Sequence, residues 1–133
     1  MSKPTIVLLH GVGLDHTMWE PVRALDLPGH GANPPVRDGV TLADLAAELT
    51  PSVPAGAHVV GFSLGALIAQ HLARFRPDLV GTLTSVNSVC RRNEPERQSV
   101  LARLSAAEHD FPGSVQASLQ RWYDGTDVPE HVR

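Results

Sequence analysis

His58-Val59-Val60-Gly61-Phe62-Ser63-Leu64-Gly65-Ala66-Leu67-Ile68 changes its periodicity at a single residue. Up to Phe62 the chain is apolar and partly β-branched, the pattern of a buried strand. After Ser63, Leu64, Leu67, Ile68, Leu72 and Phe75 recur at helical spacing until Pro77 stops them. A strand that passes into a helix through one residue needs a tight corner. Gly61 and Gly65 flank it, where the absence of a side chain lets neighbouring backbone come close. Ser63 is therefore expected in a strained backbone conformation, its hydroxyl exposed, with a helix running from about Leu64 to Phe75.

Outward from this corner, Thr5–Leu9 (TIVLL) ends before Gly11 and Gly13, and Val22–Leu27 (VRALDL) ends before Pro28-Gly29-His30-Gly31. Leu79–Val86 (LVGTLTSV) follows the helix. Short apolar runs with such stops are expected as strands of a parallel sheet. Leu42, Leu45, Ala46 and Leu49 repeat at i, i+3, i+4 and i+7, and Thr41 three residues ahead of Asp44 predicts a capped helix start. Strands alternating with helices imply βαβ units and an α/β core over residues 1–88. From residue 89 onward no strand pattern appears. Asn93 ahead of Glu94-Pro95-Glu96 predicts a helix N-terminus. Val100, Leu101, Leu104 and Ala107 then share a face, Phe111-Pro112-Gly113 is expected to break that helix, and Val115, Leu119 and Trp122 form a further stripe. Residues 89–133 are thus expected as a helical segment.

The chain has 133 residues, 42% of them hydrophobic and 19% charged, which suits one globular domain and excludes global disorder. A net charge of −3 gives no reason to expect nucleic acid or an anionic membrane as partner. The single cysteine, Cys90, excludes an internal disulfide framework and is expected to pack as a small apolar residue. The longest N-terminal apolar run, Ile6–Leu9, is too short for a signal-peptide core or a membrane span. Together these features point to a reducing, cytoplasmic setting.

Gly61-Phe62-Ser63-Leu64-Gly65 matches G-x-S-x-G in the context that this motif requires, between strand and helix. Ser63 is the candidate nucleophile. The amide of Leu64, the residue after it, is one candidate oxyanion donor, and the amide of Val12 in the His10-Gly11-Val12-Gly13 turn is the other. Seven histidines are available as a base. His10 and His30 belong to turns and read as structural. His58 lies at the far end of its strand, His71 two turns down the helix, and His109 at a helix end. His16 follows the Gly11–Gly13 turn and is a possible substrate contact. His131 completes the order Ser63…Asp127…His131, but no strand precedes it, and Asp110, Asp124 and Asp127 read as surface carboxylates or caps. No histidine has metal-ligand spacing, Gly11-x-Gly13 lacks the third glycine of a dinucleotide fingerprint, and no metal or organic cofactor is expected. Arg91, Arg92 and Arg97 form a basic cluster, one member of which could hold a substrate carboxylate.

Ile6–Gly13 (IVLLHGVG), Trp19, Ala24–Gly31 (ALDLPGHG) and Val59–Gly65 (VVGFSLG) resemble, in order and context, the α/β-hydrolase superfamily. Within it the chain is similar to small bacterial esterases, lactonases and carbon–carbon bond hydrolases. Asn87–Arg103 and Leu119–Tyr123 resemble enol-lactone hydrolases of aromatic-acid breakdown. The resemblance implies a serine hydrolase of carboxylic esters or lactones, with residues after about Val89 starting a helical cap. It also implies what is missing. The family is longer, and its acid and histidine lie on two final strands that have no counterpart here. Only Glu20-Pro21 stands where the family has a full helix between Trp19 and the second strand. The expected fold is therefore a partial α/β-hydrolase: a short parallel sheet with helices. Two readings stand, a hydrolase of a small-molecule ester or lactone and a catalytically incomplete fragment. The fragment would self-associate or need a complementary C-terminal half that supplies Asp and His.

Overall fold

A computed structural model describes residues 5–19 and 24–123, which divide into two compact units, Met1–Val89 and Cys90–Arg133. The first unit holds strand β1 (Ile6–Leu9), a 3-10 turn at His16–Trp19, helix α1 (Leu42–Leu49), strand β2 (Ala57–Phe62), helix α2 (Leu64–Phe75) and strand β3 (Val80–Val86). The three strands are parallel and ordered β1-β2-β3. Leu9 stands opposite Gly61, and Phe62 opposite Val86. Of the run expected as a strand over Val22–Leu27, Val22 and Arg23 lie outside the described residues; among residues 24–27 the pairing is a parallel bridge, Leu25 to Leu9, with Leu25 N–H donating to Leu8 O at 3.3 Å. Leu27 ends that segment buried, and the Pro28–Gly31 turn follows at once, so there is little length for a ladder. The short Glu20-Pro21 join lies outside the described residues.

Alternation sorts the side chains. Val7 and Leu9 of β1 and Ala57 and Val59 of β2 face Ile68, Ala69 and Leu72 of α2, together with Ala46 and Leu49 of α1, in one core. Helix α2 lies along all three strands, and α1 packs against α2. On β2 the buried residues alternate with the half-buried His58, Val60 and Phe62, so one sheet face is sealed and the other is not. Phe75, the last residue of the expected α2 stripe, is 57% exposed, because its turn lies beyond the sheet. Helix α1 starts as expected: the Thr41 side chain accepts from Asp44 N–H while the Asp44 carboxylate accepts from Thr41 N–H.

The second unit contains helices α3 (Glu94–His109) and α4 (Phe111–Tyr123), which pack on each other. Asn93 caps α3 with a reciprocal bond to Glu96, as expected. The break falls at Asp110, one residue earlier than expected. Phe111-Pro112-Gly113 opens α4, since proline is tolerated in a first helical turn, where its missing N–H has no intrahelical acceptor. Leu101 and Leu104 remain more than half exposed. Among the described residues no helix is long and apolar enough to cross a membrane.

Close packing at the corner makes one stability effect large. A Cβ on Gly65 would run into the backbone carbonyls of Leu9 and His10, where neither oxygen can withdraw without shifting β1. Gly65→Ala is therefore expected to cost about 3 kcal/mol or more, at or beyond the usual range for overpacking. Thermal melts of the two chains check this.

Candidate active site

Ser63 is the corner itself. Its backbone stands at φ 52° and ψ −112°, and only one other described non-glycine residue, Asn87, has a positive φ. An L-residue there is strained by roughly 1–3 kcal/mol and persists only when its surroundings over-determine it. They do so here. Ser63 N–H donates to Val86 O at the end of β3 (3.0 Å), and Ser63 O accepts from Ala66 N–H (3.0 Å) and Leu67 N–H (3.2 Å). Gly61 faces the backbone of Gly65 with no room for a Cβ. The first amides of a helix have no intrahelical acceptor. Ala66 and Leu67 find Ser63 O; among the described residues Leu64 N–H has no backbone acceptor. The Ser63 hydroxyl makes no capping bond and stands beside the positive end of a 12-residue helix.

The turn after β1 comes to the same place. A Cβ built on Gly11 would sit 3.3 Å from Ser63 Cβ and 3.0 Å from the Phe62 ring, so the structure brings the His10–Gly13 motif beside the serine corner. Val12, at its tip, is 58% exposed. Gly11 O accepts from Leu14 N–H at 3.3 Å, which closes the turn with Gly13 at φ 75°.

The histidines go elsewhere. His10 is fully buried; its Nδ1–H donates to Gly11 O (2.8 Å) while Nε2 accepts from Leu27 N–H (2.9 Å). Burial pushes its proton affinity below the ordinary imidazole value, which keeps it neutral. His30 Nε2 accepts from Gly13 N–H at 3.0 Å. His16, the candidate substrate contact, holds Nδ1 2.7 Å from Asp26 Oδ1. His58 bonds Thr82, His71 lies against the Phe75 ring, and His109 donates to Ser105 O. Among the described residues none is bonded to Ser63 Oγ. His131, Asp124 and Asp127 lie outside the described residues. Cys90, expected to pack, is exposed. Asp110 receives Gly113 N–H as a cap, and Arg91 and Arg97 lie on the surface. Among the described residues no three His, Cys, Asp or Glu side chains converge as a metal site would.

Sequence reasoning gave Asp26 no role, and it is the hub of the second turn. Its carboxylate accepts from His16 N–H (2.9 Å), the His16 ring and Ala32 N–H (3.2 Å), while Asn33 Nδ2 donates to Asp26 O. The His16 backbone N–H is the largest influence that holds its carboxyl at about 2, with the His16 side chain and Ala32 N–H adding to it. A carboxylate depressed from 3.8 to about 2 contributes stability that is complete above about pH 4 and is lost as pH falls through 2. Asp26→Asn is thus expected to destabilise the chain at pH 6, with the difference from the parent closing between pH 4 and 2. Urea melts across that range check the sign.

Residues 6–132 match the alpha/beta hydrolase family, and the chain belongs to it. It is 38% identical over 135 residues to a pimeloyl–acyl-carrier-protein methyl ester esterase of Chromobacterium violaceum, covering 90% of this chain and 52% of that one. It is 30% identical over 137 residues to an (E)-2-((N-methylformamido)methylene)succinate hydrolase of Acinetobacter baylyi, covering 92% of this chain and 52% of the relative. The enol-lactonase of Burkholderia xenovorans superposes with a TM-score of 0.77 at 25% identity, over 94% of this chain and 53% of that structure. The chain thus spans about half the length of the relatives it matches. Its three parallel strands and flanking helices are a partial α/β-hydrolase fold.

Proposed function

We propose that this chain carries the nucleophilic half of a serine hydrolase acting on a carboxylic ester or lactone. Ser63 Oγ attacks the carbonyl carbon. The amides of Val12 and Leu64 hold the oxygen as it becomes negative, in a site where both donors are set before the reaction begins. A histidine accepts the serine proton and returns it to the leaving group; water then releases the acid from the acyl-serine. The observation that carries this reading is the Ser63 backbone at φ 52° and ψ −112° between strand and helix: strain of this kind is retained where a side chain has to be presented. The relatives named above, an ester hydrolase and an enol-lactonase among them, support the same substrate class. Carbon–carbon bond hydrolysis uses the same parts and is the alternative within the family.

A second reading rests on the histidines. In it the chain is a catalytically incomplete fragment whose base is supplied by a complementary C-terminal segment carrying Asp and His; its support is that none of the described histidines is bonded to Ser63 Oγ. The test is hydrolysis of p-nitrophenyl esters and of simple lactones by the chain alone and by the chain mixed with such a segment, each against its Ser63→Ala counterpart.

A further inference from the structure

Strand β3 reads Val80-Gly81-Thr82-Leu83-Thr84-Ser85-Val86. About Leu83 the run is nearly the same in both directions: threonine on either side, then glycine against serine, then valine at both ends. It holds no charged residue and no proline, two of the devices that keep exposed strand edges from pairing. Among the described residues it pairs on one side only, with β2, and every residue after Val80 is exposed. The register with β2 passes from Ala57–Val80 to His58–Thr82, which leaves Gly81 as an extra residue, and is regular from Thr82 to Val86.

The backbone decides which groups meet solvent. Val86 O accepts from Ser63 N–H, so Val86 turns its N–H and C=O towards β2. Successive residues of a strand turn these groups to alternate edges. Thr82 and Thr84 therefore also face β2, and Leu83 and Ser85 present their N–H and C=O at the free edge. The side chains divide the other way. Leu83, in register with the core residue Val59, and Ser85, whose hydroxyl accepts from Gln70 of α2, lie on the face that carries α2. Thr82 and Thr84 lie on the opposite face, where Thr82 is bonded to His58.

We propose that the β3 edge is a surface for a second copy of this chain, paired antiparallel about a two-fold axis that passes through Leu83 perpendicular to the sheet. Leu83 of each copy then exchanges both backbone hydrogen bonds with its counterpart, and the two leucine side chains meet on the α2 face. Thr82 of each copy stands opposite Thr84 of the other, and Gly81 opposite Ser85. Residues directly opposite on one face are the pairs that stabilise a sheet, and threonine with threonine and apolar with apolar are favourable ones. A second copy supplies this match by symmetry. A two-fold axis through Thr84 instead sets Leu83 against Ser85 and loses the leucine pair. The contact is isologous and uses up the edge, so it closes at a dimer with one six-stranded sheet, β1-β2-β3-β3-β2-β1. One pair of short strands buries less than the roughly 1,200–2,000 Å² of a standard interface, so the dimer is weak, with Kd on the order of 10 µM.

Sedimentation of the full chain from about 1 µM to about 200 µM should show monomer passing to dimer and nothing larger. Leu83→Lys and Leu83→Glu place like charges opposite each other at the axis, so each alone should stay monomeric over that range, and an equimolar mixture should recover the dimer. Register is read by crosslinking in a Cys90→Ser background. Opposed Leu83 Cα atoms stand about 5.5 Å apart, within reach of a disulfide, whereas each Thr84 is set diagonally from its own counterpart. Leu83→Cys should therefore oxidise to a covalent dimer about tenfold faster than Thr84→Cys. Circular dichroism reports whether each variant is folded; if the charged variants are not, the two cysteine variants decide. A chain that remains monomeric throughout the range overturns the proposal. So do folded Lys and Glu variants whose mixture stays monomeric, faster crosslinking of Thr84→Cys, and open-ended assemblies indifferent to charge at Leu83. None of these readouts involves hydrolysis, so they are independent of the role of Ser63.

Discussion

Purified alone, the 133-residue chain is expected to hydrolyse p-nitrophenyl acetate barely faster than its Ser63→Ala variant. A serine hydroxyl without a base stays protonated at neutral pH and attacks slowly. The described histidines have other partners: His10 and His30 hold backbone amides, His16 is on Asp26, His58 is on Thr82, His71 lies tilted against the Phe75 ring and His109 donates to Ser105 O of its own helix. Removing members of a catalytic triad costs roughly 10⁴ to 10⁶ in kcat, and the remainder comes from binding and oxyanion stabilisation. Adding a C-terminal segment that carries a strand–Asp and strand–His pattern should restore a large part of that factor. In the reconstituted mixture Ser63→Ala should then remove about 10³-fold or more. Ordinary enzyme rates from the lone chain, abolished by Ser63→Ala, would contradict this. His16 and His131 are then the first histidines to replace.

The same chain at higher concentration should self-associate and melt at low temperature, and the complementary segment should reverse both. The reason is β3. It is the edge of the sheet, none of its seven residues is buried, and Leu83 and Val86 are 39% and 40% exposed. An uncovered apolar strand with free backbone groups is a template for another chain. Each large apolar side chain left in water forgoes about 1.5–3 kcal/mol, and a domain holds only about 5–15 kcal/mol in all. Ile6, at the other edge, is 57% exposed and adds to the deficit. The half-sealed face of β2 at His58, Val60 and Phe62 points the same way. Light scattering and calorimetry on the purified chain measure the effect. A monodisperse monomer with a sharp, cooperative melt well above room temperature would show that this half-fold closes its own core.

The parts of this protein that were legible in its sequence are those decided within a few residues. The Ser63 corner, the helix Leu64–Phe75 and the Thr41 and Asn93 caps all follow from a change of period or from a side chain three residues from its amide. Such signals are local because helix capping and strand alternation are local. Reach across the chain was not legible. Nothing in DLPGHG indicates that Asp26 gathers His16 and Ala32, or that His30 returns 17 residues to hold Gly13, since these bonds exist only once β1 and the Leu25 bridge lie side by side. Val22–Leu27 carries a strand pattern, yet among its described residues, 24–27, only Leu25 pairs, and the Pro28–Gly31 turn follows two residues later. Phe111-Pro112-Gly113 has the composition of a break and opens a helix, because proline's effect depends on whether its missing amide would have had an acceptor. Residue type and spacing determined which backbone conformations were available. Contact between segments distant in sequence selected among them, and the partners of Asp26, His10 and His30 were decided there.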